Sequence, residues 1–184
     1  STGKKFEYKG WFGVKTLPEL KEDSAGIVAG PKQYIFNSTK RWMNPMNKGV
    51  AYGIDGWRLD VAYDVGHPFW KDWRKWVRSI NPNAYLTAEL VYNIEQTRPY
   101  LNGDEFDATM NYNFAFIMHD FFVQDTSGST VTEFDSKLKE LREAFGENVA
   151  FNMQNLMNSH DATRLASAVA NPDGIQFGKW GKYF

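Results

Sequence analysis

The chain has 184 residues, which is enough for one ordinary domain with a sizeable core. Its 21 Lys and Arg against 22 Asp and Glu give a formal net charge of −1 and form no basic run, which argues against a nucleic-acid or polyanion binder. The absence of cysteine excludes disulfides and thiol nucleophiles, and no apolar run reaches the roughly 18 residues of a membrane span. This composition fits a cytoplasmic, a periplasmic or a secreted protein equally.

Aromatic side chains are in excess, because Trp, Tyr and Phe together make up 16% of the chain. Aromatic faces stack on the C–H faces of sugar rings, so this excess suits carbohydrate binding. For any single ring, however, a place in a large aromatic core is the alternative.

The first predicted regular element is a helix that Pro31 opens and that runs to about Trp42. Its spacing places Tyr34, Ile35, Ser38 and Trp42 near one face. Residues 1–30 are punctuated by Gly and Pro, which predicts irregular structure before this helix.

A loop over residues 44–53 is predicted from its Asn, Pro and Gly content. Asn44 and Asn47 are spaced oxygen side chains, so the loop is a candidate for binding Ca²⁺, the one cofactor that the sequence suggests. It has no carboxylate before Asp55, which favours an ordinary turn instead. We expect no other metal site.

Strands and helices alternate through the rest of the chain, which predicts βαβ units and a parallel sheet. In parallel α/β folds, and in barrels above all, functional groups gather at the carboxyl ends of the strands. The predicted strands cover residues 54–61, 84–91, 106–111 and 148–157. Helices are predicted over 67–80 and about 113–123, and another begins with RLASAVA (164–170). One more predicted helix has a capping box of Thr130 and Glu133 at its start and Gly146 at its end.

The first candidate site residues are Arg58 and Asp60, near the end of the first of these strands. Side chains two positions apart on a strand point to the same side, so the two can pair. A neighbouring cation lowers the pKa of a carboxyl group and keeps it ionised, as a nucleophile requires. On spacing alone, a structural ion pair at a strand end is the alternative.

Glu89 lies near the end of the next strand, in an otherwise apolar segment. An apolar setting raises the pKa of a carboxyl group toward the range of a general acid. Together with Asp60 it matches the two carboxylates of a retaining glycosidase, which stand roughly 5–6 Å apart. A Glu that merely caps a neighbouring helix is the alternative.

The third element is His160 beside Asp161, after the last predicted strand. The pair offers a donor and a second anion, or an N-cap for the helix that follows. A metal site would need a further clustered His, and His67 and His119 lie in predicted helices. A Ser-His-Asp relay through Ser159 is excluded, because adjacent residues cannot form one among themselves.

Three motifs resemble signature regions of the α-amylase superfamily, glycoside hydrolase family thirteen. They are GIDGWRLDV (53–61), LTAEL (86–90) and NSHD (158–161), in the family's order and at about its spacing. The surroundings are most similar to the neopullulanase, cyclomaltodextrinase and maltogenic amylase branch, through YKGWFGVKTLPEL near the start and FDATMNYNF later. The resemblance covers nearly the whole chain.

This resemblance implies an α/β fold, a (β/α)₈ TIM barrel of which residues 1–184 form a partial catalytic domain with about strands four to seven. The implied function is that of a retaining α-glycoside hydrolase acting on α-1,4-glucans, cyclodextrins or pullulan-type oligosaccharides. Its partner would be an oligosaccharide or polysaccharide, with no nucleic acid and no membrane, and the full-length parent is expected to be able to form a homodimer. A part of a barrel exposes sheet edges and apolar surface, so activity is expected to need the other strands of the parent protein.

By the same resemblance Asp60 is the nucleophile, Glu89 the acid/base and Asp161 the third carboxylate, which stabilises the transition state. Arg58 and His160 would orient the nucleophile and bind the sugar ring at the cleaved bond.

The chain departs from the family at several positions around the site. Ala88 replaces the usual Gly before the acid/base, and Val91-Tyr92 replaces the common Trp-His pair after it. Tyr63 stands where Asn or Lys is usual, close to the leaving-group side of the cleft. Together with Arg58 and His160, Tyr63 and Asp64 are the predicted substrate-binding residues. These changes leave substrate preference open.

Two rival functions share the same residues. A non-catalytic relative would bind sugar or a protein partner, but such relatives typically lose one of the three carboxylates, and all three are present here. A transglycosylase or an isomaltulose-type α-glucosidase would keep the whole catalytic set.

Overall fold

A computed structural model describes residues 7–123 and 128–170 of the chain. They belong to two compact units. The first contains Ser1–Trp57 and Val61–Tyr85, and the second contains Arg58–Asp60 and Leu86–Phe184. Among the helices of the described residues, none is long and apolar enough to cross a membrane.

The first unit combines a small hairpin, two long helices and short 3-10 turns. In it, β1 (Glu22–Asp23) pairs antiparallel with β2 (Gly26–Ile27), α1 spans Ala29–Met43, α2 spans His67–Ile80, and 3-10 turns cover Trp11–Gly13, Pro45–Asn47, Val50–Tyr52 and Ala62–Asp64.

The core of this unit forms where the aromatic face of α2 packs on α1. The ring N–H of Trp73 donates to Thr39 Oγ1 at 3.0 Å, and that of Trp76 donates to the Phe36 carbonyl at 2.9 Å. Trp73 is 2% exposed, so its large apolar surface contributes to stability while its one polar atom is satisfied. The predicted helix over residues 67–80 is confirmed at both ends.

Helix α1 differs from the prediction in its start and in its buried face. It begins at Ala29, two residues before Pro31, and a hairpin precedes it where irregular structure was predicted. Thr39 and Met43 are its buried residues, whereas Trp42 is 59% exposed. Spacing alone did not identify the buried face, because the helix carries apolar residues on several sides.

Four strands form one sheet in the order β3-β4-β5-β6. The pairs β4–β5 and β5–β6 are parallel. Between β3 and β4, the Tyr85 amide donates to the Asp55 carbonyl and the Glu89 amide donates to the Leu59 carbonyl. Both hydrogen bonds join residues 30 positions apart, so this pair is parallel as well. The predicted parallel sheet is therefore confirmed. The strands are β3 (Gly56–Leu59), β4 (Tyr85–Ala88), β5 (Ala108–Asn111) and β6 (Gln154–Asn155).

Gly56 is required where β3 approaches the first residue of β4. A Cβ atom at this position would lie 2.1 Å from the Tyr85 carbonyl oxygen, a separation at which the backbone must shift. The second glycine of the GIDGW motif thus has a steric reason, because it lets the two strands pair closely.

The helices of the second unit follow the strands and carry strong caps. Asn111 caps α4 through its side chain, and Thr130 and Glu133 form the predicted capping box of α5. The helices are α3 (Ile94–Thr97), α4 (Tyr112–Phe122), α5 (Val131–Phe145), α6 (Glu147–Asn152) and α7 (Leu165–Ala170), and a 3-10 turn covers Arg98–Leu101.

The predicted strand over residues 148–157 is wrong in its first half. Residues Glu147–Asn152 form α6, and only Gln154 and Asn155 are extended as β6. Gly146 has φ 75°, which ends α5 and starts a new helix at once, with the acidic Glu147 in its first turn. Phe151, inside the predicted strand, is 83% exposed.

A polar cluster joins α4 to the start of α5. Lys137 Nζ lies 2.5 Å from Asp120 Oδ2 and 2.6 Å from Ser129 Oγ, and the Ser129 hydroxyl also donates to Asp120. These contacts, first the Lys137 hydrogen bond and then that of Ser129, lower the pKa of Asp120 below its ordinary value of 3.8.

We predict that Asp120→Asn lowers the free energy of unfolding at pH 7 by about 0.5–1 kcal/mol. A carboxyl group whose folded pKa is lowered stabilises the fold above its unfolded pKa and loses this effect as pH falls through the folded value. The difference between wild type and variant should therefore shrink below about pH 3.8. Urea unfolding at several pH values measures it, with Asp135→Asn on the exposed side of α5 as the control. A difference independent of pH would contradict the assignment.

Candidate active site

The ionisable residues predicted to form a site lie where parallel strands end. Asp60 follows β3 and Glu89 follows β4, while Asp161 lies in the segment after β6. Asp60, Glu89 and Asp161 all belong to the second compact unit. Strand ends hold side chains rigidly at one edge of a sheet, so this is the edge at which such folds build binding and catalytic sites.

The guanidinium group of Arg58 contacts both carboxylates of the neighbouring strands. Its Nη1 donates to Asp60 Oδ1, its Nη2 lies 3.0 Å from Glu89 Oε1, and its Nε donates to Met110 Sδ at 3.3 Å. The planar fork of an arginine can serve several acceptors at fixed angles. One cation therefore fixes the ends of β3 and β4 and their two acids relative to each other.

The two carboxylates differ sharply in their exposure to solvent. The side chain of Glu89 is 7% exposed, whereas that of Asp60 is 67% exposed. Arg58 Nη2 is itself buried and has no partner in hydrogen-bond geometry among the described residues, so its approach to Glu89 is an ionic contact. A buried carboxylate needs such a partner, because an unpaired buried charge is very costly.

Asp161 is held by its own segment. Its amide donates to Ser159 Oγ at 3.0 Å, and its Oδ2 lies 3.0 Å from His160 Nε2. The His160 side chain is 68% exposed and that of Asp161 is 26% exposed. Because α7 begins only at Leu165, the alternative in which this pair caps the following helix is wrong.

Tyr112 is a site residue that the sequence did not indicate. It is 2% exposed, and its hydroxyl lies 2.9 Å from Ser159 Oγ. Burial raises the pKa of Tyr112, the Ser159 hydrogen bond opposes this, and the charges of Glu89 and Asp161 raise it further. Its phenol is thus in the electrostatic field of both acids. The only signal in the sequence was a Tyr directly after the strand that ends at Asn111.

Tyr63 and Asp64 lie in the first unit, on the 3-10 turn Ala62–Asp64. The turn follows Val61, whose φ of 45° is rare for a β-branched residue and bends the chain sharply after Asp60. Partial burial raises the pKa of Asp64, and the charge of Glu19 raises it further. Asp64 also lines a cavity of about 590 Å³ in this unit.

The loop predicted as a calcium candidate has the contacts of an ordinary turn. The Asn44 side-chain oxygen accepts the Gly49 amide at 2.8 Å, and Asn47 adopts a left-handed conformation with φ 56°. Within residues 7–123 and 128–170, no group of three His, Asp or Glu side chains is arranged to hold a metal ion.

A parallel sheet with helices between its strands, and with acids at the carboxyl ends of those strands, defines an α/β protein whose candidate site lies at one edge of the sheet. The family to which this chain belongs is that of the alpha-amylase catalytic domain, which matches residues 7–179. The fold is therefore that of a TIM barrel, of which the chain holds a part, as the sequence predicted.

Relatives and solved structures agree with this assignment. The chain is 32% identical to neopullulanase 2 of Thermoactinomyces vulgaris over 90% of its own length and 29% of that protein. It is 31% identical to a cyclomaltodextrinase of a Bacillus species over 89% of the chain and 30% of the relative. The crystal structure of a debranching enzyme from Nostoc punctiforme superimposes with a TM-score of 0.77 at 28% identity, covering 92% of this chain and 35% of that one. The chain thus spans less than a third of the length of these two relatives.

We predict that Arg58→Met destabilises the protein by roughly 1–3 kcal/mol, because it removes the cation beside the buried Glu89. The cost is below that of a fully buried pair because the Arg58 side chain is itself 30% exposed. Adding Glu89→Gln should restore part of this loss, since the second change removes the buried negative charge that faced Arg58. Urea unfolding of both variants tests this, with Arg142→Met on the exposed side of α5 as the control. A double variant no more stable than Arg58→Met would show that Glu89 does not depend on Arg58.

Proposed function

We propose that the protein carrying this chain is a retaining α-glycosidase that acts on α-1,4-glucans, cyclodextrins or pullulan-type oligosaccharides. The observation that carries the proposal is the contact of one Arg58 guanidinium with both Asp60 and Glu89, in a member of the alpha-amylase family. We further propose that residues 1–184 are part of a single catalytic barrel domain. Relatives named neopullulanase and cyclomaltodextrinase support the substrate class.

Asp60 is assigned the role of nucleophile and Glu89 that of acid/base, and the difference in their surroundings supports this division. The Asp60 carboxylate is mostly exposed, so a bound sugar can reach it, and the Arg58 contact orients it. Glu89 lies in a buried wall, the kind of setting in which retaining glycosidases place their general acid. Double displacement requires one carboxylate as nucleophile and a second that acts first as acid and then as base.

The reaction runs in two steps. In the first, Glu89 donates a proton to the glycosidic oxygen while an Asp60 oxygen attacks the anomeric carbon, so the bond to the leaving sugar breaks and a glycosyl-Asp60 ester forms. In the second, Glu89 takes a proton from a water molecule while the water oxygen attacks the same carbon. The bond between that carbon and Asp60 breaks, which frees Asp60 and releases the product. Both displacements invert the anomeric centre, so the net result is retention.

The remaining predicted residues bind and stabilise the sugar. Asp161 stabilises the positive charge that develops on the ring, and His160, which contacts Asp161, donates to ring hydroxyls. Arg58 keeps the two reacting acids in place. Tyr63 and Asp64 are assigned to the leaving-group side, where an aromatic face and a carboxylate suit the stacking and hydrogen bonding of a second sugar.

We predict that Asp60→Asn abolishes turnover of maltooligosaccharides, because an amide cannot form the glycosyl ester, while the fold is retained. Reducing-sugar release by the natural polypeptide that carries this chain measures activity, and circular dichroism measures folding. Asp55→Asn, an exposed acid five positions earlier, is the matched control and should keep full activity. Unchanged turnover in Asp60→Asn would refute the role of nucleophile. A wild-type protein that binds maltooligosaccharides without cleaving them would favour the non-catalytic relative.

We also predict that the first product formed keeps the α-anomeric configuration, because two successive inversions restore it. Proton NMR of the anomeric signals in the first minutes of hydrolysis, before mutarotation, measures this. A β-anomer as the initial product would contradict the assignment of Asp60 as nucleophile. It would indicate an inverting reaction, in which a water between the two acids attacks the sugar. Adding a sugar acceptor to the same reaction shows whether transfer competes with hydrolysis.

A further inference from the structure

The segment that carries Asp161 is joined to the rest of the second unit through hydroxyl groups. Tyr112 is the first residue of α4, directly after β5, and its side chain is buried. The Tyr112 and Ser159 oxygens are 2.9 Å apart, and Ser159 Oγ also accepts the Asp161 amide at 3.0 Å. A continuous chain of contacts thus runs from the end of β5 to the backbone of Asp161.

Helix α4 contacts the same segment a second time. His119 Nε2 lies 2.6 Å from the Met157 carbonyl oxygen, which can only accept, so this nitrogen carries the proton. At the other end of the helix, the side chain of Asn111 caps α4 and donates to Asn155 Oδ1 at 2.8 Å. The helix therefore contacts both β6 and the chain that follows it, which limits how residues 157–161 can move.

We propose that Tyr112 and Ser159 are positioning residues, which fix the backbone of Asp161 relative to Glu89 through their two hydroxyl groups. This inference rests on the proposed function, in which Asp161 stabilises the transition state. A serine oxygen can accept two hydrogen bonds and donate one, so Ser159 can receive the Asp161 amide and still pair with the phenol. Because an acid that stabilises developing charge must be correctly placed beforehand, a small shift of Asp161 lowers the rate of the chemical step.

A phenol is suited to this position because it stays neutral. Burial and the nearby charges of Glu89 and Asp161 raise the pKa of Tyr112 above its ordinary value of 10.0. A phenol is uncharged at neutral pH even at its ordinary pKa, so the hydroxyl group adds no negative charge near Glu89 and Asp161. A phenylalanine would fill the same buried space without contacting Ser159.

The experiment compares Tyr112→Phe, Ser159→Ala and the double variant in steady-state hydrolysis of maltooligosaccharides. Each single change should lower kcat about five- to tenfold with little change in KM. The double variant should resemble Ser159→Ala, because both hydroxyls act in one chain of contacts. Ser159→Thr keeps a hydroxyl and should recover most of the rate. Fully additive losses, or wild-type kcat in both single variants, would overturn the proposal.

A second measurement does not depend on catalysis. Hydrogen exchange of the Asp161 amide should become at least about fivefold faster in Tyr112→Phe and in Ser159→Ala, while exchange in α5 stays unchanged. Tyr8→Phe and Ser79→Ala are matched controls, because these hydroxyls donate to the carbonyls of Lys15 and Trp76 in the first unit. Unchanged exchange at Asp161 would refute the positioning role. If the wild-type protein cleaves no α-glucan, the proposed function fails, and the exchange result alone decides this inference.

Discussion

The ion pairs of Arg58 are the interaction on which the rest of the site depends. A single guanidinium group holds the carboxylates at the ends of two adjacent strands, and the close pairing of those strands requires a glycine at position 56. Without the cation, Glu89 would lose an opposite charge 3.0 Å away in a buried wall, and Asp60 would lose a contact that orients it. The local stability of the sheet edge and the geometry of the acids therefore have one common cause.

The same cation has different effects on its two partners because their solvent exposure differs. Around the exposed Asp60 carboxylate, water screens the attraction, so the contact mainly orients a group that a ligand can reach. Around the buried Glu89 there is little water, so the contact offsets a real cost of desolvation. A site with two carboxylates in unlike surroundings can assign them unlike roles, even though both contact the same residue.

The sequence predicted the parallel sheet, the capping box of α5 and the three strand-end acids, because these follow from local patterns of period, capping and order. It did not predict α6, since a short alternating segment after Gly146 fits a helix or a strand equally well until its burial is known. Tyr112 was missed for a different reason. Its contact with Ser159 joins residues 47 positions apart, and nothing in either local sequence indicates that they meet.

The division of the chain into two units assigns the three acids and the residues of the turn after Asp60 to different units. The contacts that fix Asp60, Glu89 and Asp161 through Arg58 and Ser159 lie within the second unit. Tyr63 and Asp64 belong to the first unit and to a turn that a strained Val61 separates from β3. Substitutions on that turn therefore leave in place the hydrogen bonds and ion pairs that hold the acids. This separation gives a physical reason why the departures from the family pattern at positions such as Tyr63 are compatible with an intact set of carboxylates.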